Sequence, residues 1–518
     1  MRRASPSRLA FVVLALGLAA CTVEVEGATC QAVGTVDNCP SGQACGTDLK
    51  CSVKAAGCAL CDPALPAECR GGDVASCQAA SDGVCADWQT QPCVAGQTCQ
   101  APGGVPTCVC DYWTVIPGVR PPRDVCTMPS IKLAIDEAVK VPGTPVFLGG
   151  TAPATYGNEL EDTAPIVIPA GVTVIGDETA PVAVPLNQII EVRGSASAPN
   201  AVAALVVEPG ASLRGLTVRR FDAQAPAVGI LIDGASPAGG NSMVSVRVDF
   251  GGTTVPFGVG LRVGGGNALV SDVAMGNVLV QGATVAGLEV NRYAASHVVL
   301  VTGSTFDQNQ VGVSLVKGDL TLSGSTVKRS AWEGFVSATG TPGQTRFSIQ
   351  DSLISWNGRG GVRLSVNDAV EFLRTRICGN VGYARSYSGV TRTVGGLLAV
   401  GNPPGTLAFH GNLVHDNGGD QVYVAASSAA WDLGGATGCA ATDRNVFANY
   451  TLPGVGVAAV GASVSALFNS WAQAFPAVGT DFFANPTAPV GSVDAGTGSG
   501  ATDFCGAALP ADLTCPAP

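Results

Sequence analysis

The sequence predicts an all-β chain, a solenoid of stacked strand rungs with an N-terminal capping helix, preceded by a small disulfide-rich region. Three observations carry this expectation. One unit recurs from Gly229 to Val460: an apolar alternating strand ending near an Asn, a tight turn, and a glycine that opens a second strand. Aligned on that glycine, the units begin at Gly229, Gly260, Gly287, Gly312, Gly334, Gly361 and Gly396, then at Gln421 without the glycine, and at Gly456. The steps are 31, 27, 25, 22, 27, 35, 25 and 35 residues. A repeat of that length made of short strands buries a core only by stacking on its neighbours. The composition agrees, because 68 glycines with only 13% charged and 6% aromatic residues suit tightly turned strands better than long helices. Finally, 14 of the 19 cysteines fall between Cys30 and Cys126, the density of a disulfide framework in an exported chain.

Export is read from the start of the chain. Arg2, Arg3 and Arg8 accompany an apolar run of ten residues, Leu9 to Leu18, which is too short for a permanent membrane span. Leu18-Ala-Ala-Cys21 follows and resembles a bacterial lipobox, which implies cleavage before Cys21 and lipidation of its sulfur, and Thr22 after it, rather than Asp, resembles the enterobacterial pattern for sorting to the outer membrane, facing the periplasm or the cell surface. The expected organisation is a signal peptide (1–20), a lipidated cysteine-rich segment (21–126), the coil (127–484) and a C-terminal tail (485–518). The net charge of -11 becomes about -14 once the three arginines leave, and an acidic chain without a basic run argues against nucleic acid as a partner.

Without Cys21, eighteen cysteines remain, an even number that fits full pairing. Cys39-Pro-Ser-Gly-Gln-Ala-Cys45 is echoed by Cys93-Val-Ala-Gly-Gln-Thr-Cys99, so two modules are expected. The second, with Cys69, Cys77, Cys85 and Trp88, resembles small cysteine-rich repeats of bacterial surface proteins. Cys58-Ala-Leu-Cys61 has zinc-knuckle spacing, but the segment holds no His and export favours oxidation, so neither a metal nor another cofactor is expected. The segment reads as a stalk or contact module. In the tail, Cys505 is expected to pair with Cys515, and Cys378 with Cys439.

The coil should open with a helix over Ser130 to Lys140, where Ile131, Ala134, Ile135, Ala138 and Val139 recur at helical spacing, Thr127 or Ser130 can cap the start, and Pro142-Gly143 stops it. A solenoid must cover its open first rung, so this helix is read as a cap. Pro145-Val-Phe-Leu148, Thr155-Tyr156 and Ile166-Val-Ile-Pro-Ala-Gly-Val-Thr-Val-Ile-Gly176 then resemble the DUF1565 proteins, within the right-handed parallel β-helix (pectin lyase-like) fold. That resemblance implies a fold and no activity.

Alternation places Val362, Leu364 and Val366 inward and Arg363 and Ser365 outward. The outward column then runs Leu231, Arg262, Glu289, Ser314, Val336, Arg363, Leu398, Tyr423, Ala458. It holds no adjacent acids of the kind pectate lyases use for Ca2+. None of His297, His410 and His415 has the Gly-His-Gly context of polygalacturonases. Asn309, Asn357, Asn380, Asn417 and Asn449 precede second strands and are read as a structural amide ladder.

Aligning Ile349, Leu373, Phe409 and Thr442 as inward residues puts Gln350, Arg374, His410 and Asp443 outward at one level, on rungs about 4.8 Å apart. His410, Asp443 and Arg374 are therefore the catalytic candidates, suited to holding an acidic sugar and moving a proton; the same residues equally form an ordinary polar ladder. Two insertions, one with Tyr383, Arg385, Tyr387 and Arg392 and one with Trp431, supply ligand-binding candidates beside Gln350. The primary functional expectation is an envelope lipoprotein that binds or scaffolds polysaccharide or another surface protein. A polysaccharide lyase or glycoside hydrolase with an atypical site and a plain structural spacer are the alternatives.

Overall fold

The computed structural model describes residues 43–45, 50–53, 61, 65–79, 86–117, 125–149, 154–157, 159, 161–178, 188–193, 202–221, 225–233, 240–249, 255–265, 271–291, 297–337, 345–365, 369–401, 406–425, 430–434, 444–450, 454–467, 469–471, 482–484, 492–494 and 513–518. Residues 1–20, Cys21, Cys439, Asp443 and Cys505 lie outside these. The chain forms two units, residues 1–109 and 110–518.

In the first unit, Glu68–Arg70, Asp73–Ala79 and Ala86–Gln91 make a three-stranded antiparallel sheet. Gln43–Cys45 pairs with Cys51–Val53, and Gln97–Gln100 with Thr107–Cys110, so both Gly-Gln echoes lead into a two-stranded ribbon. Disulfides join Cys61 to Cys77, Cys69 to Cys99 and Cys93 to Cys108. Cys61 is thus oxidised and is not half of a zinc knuckle. Among the described residues of this unit the buried apolar side chains are cysteines and two alanines, Ala75 and Ala86, so the bridges stabilise it by restricting the unfolded chain.

The second unit is the coil. Each rung is three strands, not two, because the apolar strand read from the sequence breaks at a corner; one rung is Thr345–Gln350, Leu353–Ser355, Gly360–Leu364. Like strands pair in parallel with the rungs above and below, giving sheet I (the Thr345–Gln350 position), sheet II and sheet III. Both corners need left-handed backbone. Ser245, Asn277, Asp351 and Arg374 hold positive φ between sheets I and II, and Gln308, Arg329, Trp356, Asp416 and Asn449 between II and III.

The coil begins before residue 127, since Trp113–Val115 pairs with Val146–Leu148, and Cys110–Cys126 closes a loop beside this first strand. Helix α1 (Ile131–Ala138) follows, capped as expected by Ser130, whose hydroxyl accepts from Leu133 N–H. Asp162 adds a second cap, accepting from Ile131 N–H at 3.1 Å and Lys132 N–H at 2.9 Å. Ile131, Ala134, Ile135 and Ala138 enter the coil's core, whereas Val139 lies past the helix and is exposed.

Inside, small and branched residues stack from rung to rung, with one aromatic file through Phe335, Phe347, Phe372, Phe409, Phe447 and Trp471 at successive centroid distances of 4.8, 5.6, 5.6, 6.5 and 5.1 Å. Val362 and Leu364 are inward as expected, but Ser365 is buried, its N–H donating to Ser337 Oγ at 3.0 Å. The recurrent glycine is a packing requirement. A Cβ at Gly396 would lie 1.9 Å from Gln421 O in the next rung.

The tail corrects the expected disulfides. Cys378 is bonded to Cys515, not to Cys439, and Cys515 is therefore not bonded to Cys505. Trp356 Nε1 donates to Pro516 O at 2.6 Å and Arg376 to Thr514 O at 3.3 Å, so residues 513–518 are seated against sheet II. The stretch read as a loose tail also contributes a strand, Ser492–Asp494, parallel to Ser463–Ser465.

Candidate functional site

The asparagine file is structural. Asn357 Nδ2 donates to Asn380 Oδ1, Asn380 Nδ2 to Asn417 Oδ1, and Asn417 Nδ2 to Gln421 Oε1, at 2.8, 2.8 and 2.7 Å. Gln421, the unit without the glycine, thus ends the ladder. Asn449 does not continue it; it is exposed and holds a corner at φ 52°. A second ladder, Asn412–Asn445–Asn469, supports the first corner, where the sequence reading had none.

The outward column of sheet III has the expected register throughout, from Leu231↔Arg262 to Tyr423↔Ala458. Its last part is not a free surface. The insertion forms a hairpin, Tyr383–Tyr387 with Val390–Val400, whose Tyr383, Tyr387 and Val390 pack on Leu398, Tyr423 and Ala458. Arg392 grips buried Asp420 with two bonds of 2.6 Å, and Tyr383 OH donates to buried Glu333 at 3.1 Å. Burial pushes the Asp420 carboxyl up against the pull of Arg392, and pushes the Tyr423 phenol up to about 12. Tyr383 and Tyr387 therefore seal a sheet. Trp431, expected in a binding loop, lies in the coil's core at 2% exposure, because Ala430–Asp432 is a strand and points its indole inward.

The polar stack is also corrected. The register is Ile349↔Phe372↔Phe409 and Gln350↔Leu373↔His410, so Phe372 points inward and Leu373 outward. The aromatic file decides this phase, since Phe372 sits between Phe347 and Phe409. Arg374 falls one place further, in the left-handed corner at φ 48°. There it makes two hydrogen bonds to Asp351, at 2.7 and 2.8 Å, and these hold the Asp351 carboxyl below the usual aspartate range. Arg374 and His410 consequently do not share a level, and Asp443 lies outside the described residues.

The correct phase exposes a different constellation on sheet I. Its central outward column runs Leu300, Thr321, Ser348, Glu371, Ala408. One flank carries Val298, Asp319, Arg346 and Ala369, and the other Thr302, Ser323, Gln350, Leu373 and His410. The first flank and, from the centre, Thr321, Ser348, Glu371 and Ala408 line a groove of about 330 Å³. Ser348 Oγ donates to Glu371 Oε2, and Gln350 Nε2 donates to the same oxygen at 3.0 Å and to Ser348 at 2.8 Å. Of the predicted residues, Gln350 therefore belongs to this face by a direct bond and His410 by register. Asp319, Arg346 and Glu371 were missed, although the two-residue spacing of Val370 and Phe372 marks the phase that exposes Glu371. Among the described residues, no group of three His, Cys, Asp or Glu side chains is placed to hold a metal ion.

Parallel strands winding through three sheets about an apolar core make this chain a right-handed parallel β-helix protein. Residues 134–341 match the family described as Protein of unknown function (DUF1565). Comparison with curated proteins finds no match. Among solved structures, the chain is similar to the A-module of an Azotobacter vinelandii mannuronan C-5 epimerase, AlgE4, at 15% identity, covering 70% of this chain and 94% of that one with a TM-score of 0.40. It is also similar to tailspike protein 3 of Bacteriophage CBA120, at 12% identity, covering 84% and 76% with a TM-score of 0.41.

Proposed function

We propose that this is an exported, lipid-anchored envelope protein whose coil binds polysaccharide along the outer face of sheet I. The groove carries the reading: it joins two carboxylates, a guanidinium and two hydroxyls (Asp319, Glu371, Arg346, Thr321, Ser348) beside aliphatic Val298, with the Gln350 amide bonded to Glu371 and exposed Leu300 next to it on the same face. Sugars need both kinds of surface, polar groups for their hydroxyls and apolar groups for their C–H faces. These groups lie on successive rungs along the coil axis, so an extended chain meets more of them than a single sugar does. The basic, apolar and Cys21 pattern of residues 1–21 supports the anchor. The test is a glycan array with residues 22–518, followed by titration of the strongest polymer. Glu371→Leu should weaken that binding at least tenfold, while Arg363→Leu on sheet III leaves it unchanged. Equal binding by parent and Glu371→Leu would contradict the proposal.

A further inference from the structure

The groove's chemistry also selects among polysaccharides. Resting on the binding role proposed above, we infer that the ligand is an uncharged, hydroxyl-rich polymer and not a polyuronate. Three observations point to this class. Among the described residues that line the groove, two are carboxylates, Asp319 and Glu371, and one is a guanidinium, Arg346, in a chain of net charge -11. A polyuronate brings a carboxylate on every sugar and would set several against that one cation. Arg374, the second cation expected on this face, sits in the corner and is paired by two hydrogen bonds with Asp351, whose carboxylate offsets its charge.

The hydrogen bonding of Glu371 fits a hydroxyl donor. The bonds from Ser348 and Gln350 both fall on Oε2, and among the described residues nothing donates to Oε1. A carboxylate has about four acceptor sites, so Oε1 is oriented by the bonds on its partner oxygen and open to a sugar hydroxyl. Thr321 and Ser348 add hydroxyls in the same column, and Arg346, which is exposed, offers donors to ring and hydroxyl oxygens. Val298 and Leu300, 40% and 41% exposed, give an aliphatic shelf at one end. A neutral sugar chain meets these groups without adding charge; an acidic one brings similar hydroxyls but also sets its carboxylates beside Asp319 and Glu371.

The experiment compares polymers that share a backbone and differ in charge. On an array of neutral and uronic-acid polymers at low salt, the strongest hits should be neutral, and methyl-esterified polygalacturonate should outbind polygalacturonate at least tenfold. Glu371→Gln should shrink that preference by improving polyuronate binding several-fold, because it removes repulsion and leaves the fold of an intermediate-exposure position intact. Preferential binding of polyuronates, lost on Arg346→Gln, would overturn the charge-class inference while leaving sheet I as the site. Absence of any bound polymer, or binding of either class undiminished by Glu371→Leu, would instead overturn the proposed binding role and this inference with it.

Discussion

Removing one amide from the corner ladder tests how the coil is held together. Asn380 is 1% exposed, and its Oδ1 accepts from Asn357 N–H at 3.0 Å and Asn357 Nδ2 at 2.8 Å. Its Nδ2 donates to Ile354 O at 3.2 Å as well as to Asn417. Asn380→Ala would strip partners from Asn357 N–H, one Asn357 amide hydrogen and Ile354 C=O in a buried corner, while Asn417 Oδ1 keeps the backbone N–H of residue 380. Each orphaned buried group costs about 1–3 kcal/mol, and neighbouring losses overlap, so the total should be roughly 3–6 kcal/mol. Asn449→Ala is the matched control. That side chain is exposed, and its loss should cost only the roughly 1 kcal/mol of placing alanine in left-handed backbone. Guanidinium unfolding of the two variants beside the parent measures both. If Asn380→Ala loses no more than Asn449→Ala, the amides do not hold the rungs together and the structural reading of the ladder fails.

Three further outcomes follow from particular contacts. Non-reducing peptide mapping should recover a fragment joining Cys378 to Cys515, and a Cys505–Cys515 fragment in its place would show that the tail is not seated on sheet II. Burial raises the Asp162 carboxyl above the ordinary 3.8 despite the two helix N–H groups it accepts from. A raised folded pKa means that its contribution is full below the unfolded value and lost as pH climbs through the folded one. The parent should therefore lose stability relative to Asp162→Asn as pH rises from below 3.8 towards neutrality; a relative gain would refute the assignment. Tyr156 and Tyr423 are both pushed up to about 12 by burial, so spectrophotometric titration of the folded chain should show a late phase that Tyr423→Phe reduces. Complete ionisation near 10 would show that these phenols reach water.

Most of the coil was legible because its causes are local. The glycine column marks where adjacent backbones leave no room for a Cβ, and the sheet III register follows from aligning those glycines. The helix start was legible because Ser130 carries its own cap, whereas Asp162 acts from 31 residues away and leaves no local trace. The site was misread for a physical reason. The corner between sheets I and II adds a left-handed residue, which is glycine at 303 and 324 but arginine at 374, so Arg374 was counted as part of a strand. One residue of slip turns every side chain to the other face, and Leu373 was traded for Phe372. Tyr383 and Tyr387 suited a binding loop by composition; only the fold shows that they cover Tyr423 and Ala458. The pairing of Cys378 with Cys515 joins positions 137 apart, a distance over which counting cysteines cannot choose a partner.

Carbodiimide labelling of carboxylates, read by mass spectrometry with and without the strongest array polymer, tests the proposed site most directly. Bound polymer should protect Glu371 and Asp319, which line the groove. Labelling of Glu289, which is paired with Arg262 on sheet III, should be unchanged. Protection of Glu289 with Glu371 and Asp319 still labelled would place the ligand on another face and contradict the account.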